Sequence, residues 1–149
     1  MEDNPTIKDL KSGKFIDDRG SLLFYNSIDF NQIKRQYFIK NHKINFIRAW
    51  HGHKREFKLV TVVEGVAMIC LVKIDDWVNP SENLEIKNFI LTSEKPSLLY
   101  IPAGYANGFM NLTENTIFQF LSSSTLEESL DDDFRFRYDY WNPWKINFR

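Results

Sequence analysis

The fold of this chain is decided by one stretch, residues 48–65, which reads RAWHGHKREFKLVTVVEG. The pattern is that of a β-strand, a short charged turn and a second β-strand. The stretch contains His51 and His53, which are two of the chain's three histidines. It therefore predicts a pair of strands that carries side chains able to move protons.

The charged break in this stretch, residues 54–55, predicts a tight hairpin turn. Such a turn places His53 opposite Glu56 in the strand pairing. It also places His51 opposite Lys58 on the same face, because side chains alternate along a strand. Lys-Arg is a poor turn dipeptide, so a longer loop with a shifted register stays open, as does an exposed hairpin with a solvated face.

Length and composition describe an ordinary soluble domain. The 149 residues are 26% charged, with a net charge of -1. This balance offers no basic field for nucleic acid and no polybasic signal for a membrane. We expect one domain over residues 1–149, with residues 1–14 as an N-terminal arm and residues 130–149 as a C-terminal segment.

Cysteine usage indicates the compartment. The single cysteine, Cys70, lies within an apolar run, where a buried and unreactive thiol is expected. A chain with one cysteine has no disulfide framework, which fits a reducing cytoplasm. The polar N-terminus and the lack of a long apolar segment predict a soluble protein that is not exported.

The rest of the chain alternates β-rich runs with turn residues. Strands are predicted at 21–25, 36–39, 44–47, 66–74, 84–91, 97–101, 109–112 and 116–121, and one helical turn at 31–35. Many short strands at regular spacing with little helix signal are typical of an antiparallel sandwich or barrel. The predicted fold class is therefore all-β.

Two half-motifs resemble those of the cupin superfamily. Residues 102–111 match the spacing of the second cupin half-motif, with Asn107 where metal-binding cupins carry His. His51-x-His53, with Glu56 nearby, is similar to the first half-motif, although its spacing differs. The resemblance implies a double-stranded β-helix of the jelly-roll type. Losing one imidazole leaves a poor site for first-row metals, so we expect no bound metal and no cofactor.

Among metal-free cupins, the chain resembles the dTDP-4-dehydrorhamnose 3,5-epimerase family over roughly residues 15–141. The similar motifs are Asp17-Asp18-Arg19-Gly20, Arg48-Ala49-Trp50-His51, Lys58-Leu59-Val60, the run 101–109, and Asp133 six residues before Asp139. Five motifs in the family's order carry the resemblance. It implies inversion of carbons beside the ketone of a 4-keto nucleotide sugar for cell-surface polysaccharides. It also implies a homodimer formed through early strands such as 36–40.

The resemblance assigns three catalytic roles. His51 is the base that removes a proton next to the ketone, for which a pKa near 7 is suitable. Asp133 fixes the tautomer of this histidine and stabilises its charged form, and Asp132 is the alternative. Lys58 supplies positive charge to the enolate oxygen in a dry pocket.

The remaining site residues are expected to bind the substrate, a nucleotide-diphosphate sugar. Arg19 and Arg48 are predicted to hold the diphosphate or the sugar, because arginine suits bidentate phosphate contacts, although a surface ion pair is an equal alternative for each. The other predicted contacts are His53, Asn107, Phe120 and Tyr138.

One position departs from the family in a way that affects the chemistry. Phe120 stands where the family keeps a tyrosine that acts as the acid on the opposite face of the sugar, and Phe carries no proton. The donor must then be water, Tyr105, Tyr138, Tyr140 or nothing. We therefore expect epimerisation at one carbon, C3, rather than at two.

Two other functions stay open. The run 51–54, His-Gly-His-Lys, is similar to a motif of the sugar 3,4-ketoisomerases, cupins that move the ketone along the ring. One base on one face can perform that shift, so it does not need the missing acid. The second alternative is a carbohydrate-binding cupin without turnover, which the loss of the tyrosine also permits.

Overall fold

The structure, a computed structural model, describes residues 3–149. The strands are β1 (Thr6–Lys8), β2 (Ser12–Asp17), β3 (Gly20–Tyr25), β4 (Arg35–Lys40), β5 (Ile47–Gly52), β6 (Lys58–Glu64), β7 (Val66–Lys73), β8 (Ile86–Thr92), β9 (Leu98–Ile101), β10 (Tyr105–Asn111), β11 (Ile117–Ser122) and β12 (Phe134–Arg135), and the helix is α1 (Leu126–Leu130). The predicted all-β class is confirmed. No helix in the described part of the chain is long and apolar enough to cross a membrane.

Two five-stranded antiparallel sheets face each other as in a jelly roll, as predicted. Sheet I has the strand order β1-β9-β6-β11-β4, and sheet II has the order β12-β5-β10-β7-β8. The hairpin β2-β3 forms a separate two-stranded sheet. Strands that follow each other in the chain thus often lie in different sheets, and this brings distant motifs together.

The main core fills the space between the two sheets. It consists of buried aliphatic and aromatic side chains from both sheets, including Val60, Ile69, Leu71, Phe109, Phe118 and Phe120. Strand β7 is apolar along most of its length because its alternate residues Met68 and Cys70 belong to a second cluster on the outer face. Burial raises the pKa of the Cys70 thiol to about 12, so the thiol stays protonated, as expected for an unreactive cysteine.

The outer face of sheet II is covered by the C-terminal segment. The Trp50 ring nitrogen donates to the carbonyl oxygens of Tyr138 at 3.1 Å and Trp141 at 3.0 Å. The Trp144 ring nitrogen also donates to the Tyr138 carbonyl, at 2.8 Å. Trp50 and Trp141 pack edge to face with ring centroids 5.5 Å apart. These contacts fix the segment behind the strand that carries His51.

The predicted hairpin within residues 48–65 is wrong. Strand β5 lies in sheet II and β6 lies in sheet I, so they do not pair. Residues 53–57 instead cross from one sheet to the other. The Asp132 carboxylate holds this crossing by accepting the backbone N–H groups of Lys54 at 2.8 Å, Arg55 at 2.8 Å and Glu56 at 3.1 Å.

Other local expectations differ in their boundaries. Residues 44–46 form a turn, and the strand begins only at Ile47. Strand β10 begins at Tyr105 rather than at residue 109. No helix forms at residues 31–35, whereas α1 was not predicted. Its signal was present, because Thr125 and Glu128 form a capping box.

Strand β1 extends the N-terminal part of the chain along the edge of sheet I. It pairs antiparallel with β9, with Thr6 opposite Tyr100 and Lys8 opposite Leu98. The stretch that was expected to be an N-terminal arm therefore contributes an edge strand and the start of β2.

The aromatic packing of the C-terminal segment predicts a large stability effect. Trp141 is 2% exposed, and its replacement in Trp141→Ala should lower the free energy of unfolding by about 3–5 kcal/mol through the lost burial and the cavity. Urea unfolding followed by circular dichroism measures the difference. Phe148→Ala is the control, because Phe148 is fully exposed. Equal stabilities of the two variants would contradict this account of the segment.

Candidate active site

The pairing of β5 with β10 determines the face of the sheet on which His51, the predicted base, lies. His51 lies opposite Asn107 and Arg48 opposite Phe109, with a register shift between the two pairs. Asn107 and Phe109 are two residues apart on one strand, so they share a face. His51 and Arg48 therefore lie on the face of sheet II that carries the core residue Phe109.

The opposite wall of this space comes from sheet I. Phe120 pairs with Val60 on one side and with Tyr37 on the other. The rings of Tyr37 and Phe120 are stacked, with centroids 5.1 Å apart and planes inclined by 7°. Phe120 also contacts Phe109 of sheet II, with ring centroids 5.3 Å apart. The two walls thus meet at the position where the family's tyrosine was expected.

Lys58 begins β6 at the same end of the barrel. Its ammonium nitrogen is 6.0 Å from the ring centroid of Tyr37 and 5.9 Å from that of Phe120. The whole residue is buried, with 7% exposed. The structure therefore brings the predicted electrostatic group Lys58 next to the predicted contact Phe120.

The environment of His51 keeps its imidazole neutral. Burial is the main cause that lowers the pKa of His51 to about 4, and the charges of Arg135 and Lys58 lower it further. The Asp133 charge acts in the opposite direction. A neutral imidazole at pH 7 can accept a proton, but this pKa is well below the value near 7 that was expected of the base.

The two aspartates before β12 have separate surroundings. Asp133 accepts a hydrogen bond from Arg135 Nε at 3.0 Å, and no hydrogen bond joins it to His51 within residues 3–149. Asp132 is 1% exposed and holds the crossing loop. Its carbonyl oxygen accepts from His53 Nδ1 at 2.6 Å. Asp132 thus orients His53 rather than His51, and the orienting role of Asp133 stays a prediction.

A compact polar cluster forms where the crossing loop enters sheet I. Lys58 Nζ is 3.1 Å from His53 Nε2 and 3.4 Å from Glu56 Oε2. The other oxygen, Oε1, accepts from Ser122 Oγ at 2.6 Å and from Arg35 Nη2 at 3.3 Å. These five side chains come from β4, β6, β11 and the crossing loop. The predicted grouping of His53, Glu56 and Lys58 is therefore real, although no hairpin produces it.

Charge within this cluster is unevenly distributed. Burial lowers the pKa of His53, and the Lys58 charge lowers it further, so the ring is neutral. Burial acts to raise the pKa of Glu56, but the Lys58 charge and the Ser122 hydrogen bond outweigh it, and the net shift is downward. Glu56 is therefore an ionised carboxylate inside the protein.

The two predicted phosphate-binding arginines lie apart. Arg48 Nε donates to Asn41 Oδ1 at 2.7 Å, and Asn41 in turn donates to Asn111 Oδ1 at 3.2 Å. Arg19 lies at the tip of the β2-β3 hairpin, where its exposed side chain pairs with Asp17. The chain brings Arg48 to the interior face of sheet II but leaves Arg19 on the hairpin.

The tyrosines considered as substitute acids fall on different surfaces. The Tyr138 side chain is exposed, and its carbonyl binds Trp50 and Trp144. The Tyr140 hydroxyl donates to the Pro80 carbonyl. Tyr105 is buried in the main core at the start of β10. Tyr138 and Tyr140 thus belong to the C-terminal segment on the outside of sheet II.

The sequence interpretation missed Tyr37 and Arg35. Both alternate with exposed residues along β4, and this period-2 pattern could have placed them on the interior face. The buried polar side-chain atoms without a hydrogen-bond partner in residues 3–149 are Arg35 Nε, Glu56 Oε2 and Asn107 Oδ1. Arg35 and Glu56 belong to the cluster around Lys58, and Asn107 lies opposite His51. A polar ligand that reached these atoms would give them partners.

The donor set does not suit a metal ion. Within the described residues, no group of three or more His, Cys, Asp and Glu side chains could hold one. Glu56, the cupin-like carboxylate, is instead paired with Lys58 and Arg35. Asn107 offers an amide where an imidazole would be needed.

These features define the class: a cupin barrel whose interior carries acid–base groups rather than a metal centre. The family model described as dTDP-4-dehydrorhamnose 3,5-epimerase matches residues 5–139. The chain belongs to this family, which is an isomerase family, and the resemblance seen in the sequence is confirmed.

Solved structures of proteins with two different activities share the fold of this chain. A double variant of a 3,4-ketoisomerase from Thermoanaerobacterium thermosaccharolyticum, in complex with TDP, is 26% identical, with a TM-score of 0.65 over 95% of this chain and 94% of that chain. A dTDP-4-dehydrorhamnose 3,5-epimerase from Bacillus anthracis, with TDP and PPi bound, is 19% identical, with a TM-score of 0.71 over 97% and 93%. A TDP-quinovose 3,4-ketoisomerase from Campylobacter jejuni is 22% identical, with a TM-score of 0.65 over 93% and 96%. No curated protein sequence matches the chain.

The electrostatics around His51 predict opposite shifts in two variants. Arg135→Gln should raise the pKa of His51 above its value of about 4, because a nearby positive charge is lost. Asp133→Asn should lower this pKa, because a nearby negative charge is lost. NMR titration of the imidazole measures both shifts. Arg137→Gln is the control, since Arg137 pairs with Asp139 on the surface, and a shift there as large as in Arg135→Gln would refute the assignment.

Proposed function

We propose that this protein is a metal-independent epimerase that inverts C3 of a TDP-linked 4-keto-6-deoxysugar used for cell-surface polysaccharides. The observation that carries the proposal is the placement of His51 in sheet II and of Tyr37 in the facing sheet I. Inversion needs a base on one face of the sugar and a proton donor on the other. A sugar held between the sheets would meet one group on each face.

The first step is proton removal by His51. Its neutral imidazole takes the C3 proton, and the electron pair moves into a C3–C4 enolate with negative charge on the C4 oxygen. The Lys58 ammonium stabilises that oxygen in a buried setting, where such an interaction is strong. A bound diphosphate would add negative charge near His51 and raise its pKa from about 4 towards the working pH.

The second step is reprotonation from the other face. Phe120 cannot donate a proton, but the Tyr37 ring is stacked on it and carries a hydroxyl group. A phenol keeps its proton at neutral pH and can donate it to the enolate carbon. The donor is thus supplied by the neighbouring strand, β4, instead of β11.

The nucleotide end of the substrate is proposed to lie towards Arg48. Arg48 binds Asn41 through Nε, and its terminal nitrogens make no hydrogen bond within the described residues. The N–H groups of these two nitrogens can hold a diphosphate. The TDP bound in the ketoisomerase and epimerase structures supports a nucleotide ligand.

Variants at the two faces should separate exchange from inversion. In heavy water, His51→Asn should abolish deuterium entry at C3, and Asp133→Asn should lower it strongly with the fold intact. Tyr37→Phe should still permit exchange, because His51 can return a deuteron to the same face, but inversion should stop. NMR of the product mixture measures both. Tyr25→Phe is the control, since the Tyr25 hydroxyl contacts Thr61 instead.

Other products would change the conclusion. Inversion at both C3 and C5 would contradict the single-carbon claim. A 3-keto product with deuterium at C4 would identify a 3,4-ketoisomerase, the second candidate, which the 26% identity to such an enzyme favours. No exchange with any 4-keto nucleotide sugar would leave a carbohydrate-binding cupin.

We further propose a homodimer formed along β4. This strand is at the edge of sheet I, and its Phe38 is 57% exposed. An exposed edge strand with apolar side chains is a ready pairing surface. The hairpin β2-β3 adds exposed apolar residues, Phe15 and Ile16. In such a dimer the hairpin of one copy could carry Arg19 to the site of the other.

The oligomeric state provides a direct check. Light scattering at micromolar concentration should give the mass of two chains. Phe38→Lys should give a monomer, because it places charge on the paired edge. Phe148→Lys, a change at an exposed C-terminal residue, should leave the dimer intact. A monomeric unmodified protein would rule out this assembly.

A further inference from the structure

Building on the proposed function, we propose that Glu56 is a positioning residue for the reaction. Its buried carboxylate holds the Lys58 ammonium beside the Tyr37 and Phe120 rings, where the enolate oxygen would form. The sequence pointed to Glu56 only as a carboxylate near the cupin-like His51-x-His53 half-motif, without a role in the reaction.

The geometry of Glu56 supports this role. The residue is 2% exposed. Its Oε1 is held by Ser122 and Arg35, at 2.6 and 3.3 Å. Its Oε2 lies 3.2 Å from His53 Nε2 and 3.4 Å from Lys58 Nζ and has no geometrically complete hydrogen bond. The carboxylate is thus anchored through one oxygen and directs the other towards His53 and the lysine.

The tautomer of His53 provides Lys58 with a second hydrogen-bond acceptor. Its Nδ1 lies 2.6 Å from the Asp132 carbonyl oxygen and must donate a proton there. Its Nε2 then carries a lone pair and lies 3.1 Å from Lys58 Nζ. The lysine can donate one N–H to His53 and one to Glu56. An ammonium group has three donors, so one is left for a ligand.

Burial makes a counter-charge important, because a buried ammonium without one is costly. Of the acidic groups around Lys58, Glu56 is the one within 4 Å of its nitrogen, and Asp132 is occupied by the crossing loop. The other titratable or charged groups around Lys58 and His51 are Arg35 and Tyr37 on β4, His53, and, near His51, Asp133 and Arg135. The ionised Glu56 is therefore the counter-charge in contact with Lys58.

A Glu56→Gln variant tests the inference, because it keeps the shape and removes the charge. NMR of the Lys58 side chain, without substrate, should show weaker contacts between its methylene protons and the rings of Tyr37 and Phe120 than in the unmodified protein. With substrate, kcat for deuterium exchange should fall at least about tenfold while KM changes less than about threefold, because the misplaced charge stabilises the enolate less. Glu56→Asp, which keeps the charge, should recover part of the rate.

The matched control is Glu64→Gln, at the exposed end of β6, the strand that Lys58 begins. It should change neither the Lys58 contacts nor kcat. If Glu56→Gln does not fold, Ser122→Ala, which removes the 2.6 Å hydrogen bond to the carboxylate, should weaken the same contacts less but in the same direction.

The outcomes separate the two proposals. Unchanged Lys58 contacts, or a change in KM alone, would overturn the positioning role and leave Glu56 as a purely structural group. Weakened contacts in a protein that exchanges no 4-keto sugar would support the hold of Glu56 on Lys58 while refuting the proposed reaction. Weakened contacts together with a lower kcat support both.

Discussion

The site depends on the carboxylate of Asp132 and the three backbone N–H groups that it accepts. These hydrogen bonds join the segment after α1 to the loop that crosses between the sheets. Without such an acceptor, the buried N–H groups of the crossing would have no partner. The crossing in turn places His53 and Glu56 against Lys58. One buried side chain therefore determines how the two sheets share a site.

The two walls of the barrel differ in charge: one carries a neutral histidine and the other carries an ion pair. His51, in sheet II, is half-buried, and its pKa of about 4 keeps it neutral. Lys58 and Glu56, beside sheet I, form a buried ion pair that Arg35 and Ser122 complete. A buried ion pair contributes little net stability unless its remaining hydrogen bonds are made. Its location opposite the neutral imidazole of His51 is the basis of the role proposed for it in the reaction.

The sequence predicted the positions of the strands better than the pairing between strands. Alternation and turn residues located β3, β7, β9 and β11 closely, because such signals are local. The false hairpin arose because adjacent strands usually pair, whereas β5 pairs with β10 and β6 with β11. The motif residues His51 and Lys58 were assigned to the site by resemblance, and their catalytic roles stay predictions. The sequence did not place Tyr37 beside Phe120, because the pairing of β4 with β11 cannot be read from either strand alone.

Under the proposed function, the stacked pair supplies the phenol that the resemblance expected at position 120. Phe120 keeps the ring that packs against Phe109 and closes the core, so the position still serves the fold. The hydroxyl belongs to Tyr37, one strand away, with its ring parallel to that of Phe120 at 5.1 Å. The phenol is therefore displaced sideways by one strand and stays on the same wall. A sugar between the walls would still meet His51 on one face and a phenol on the other, but the angle of approach to each carbon would differ. A donor displaced in this way can serve C3 without serving C5, which is the physical basis for expecting inversion at a single carbon.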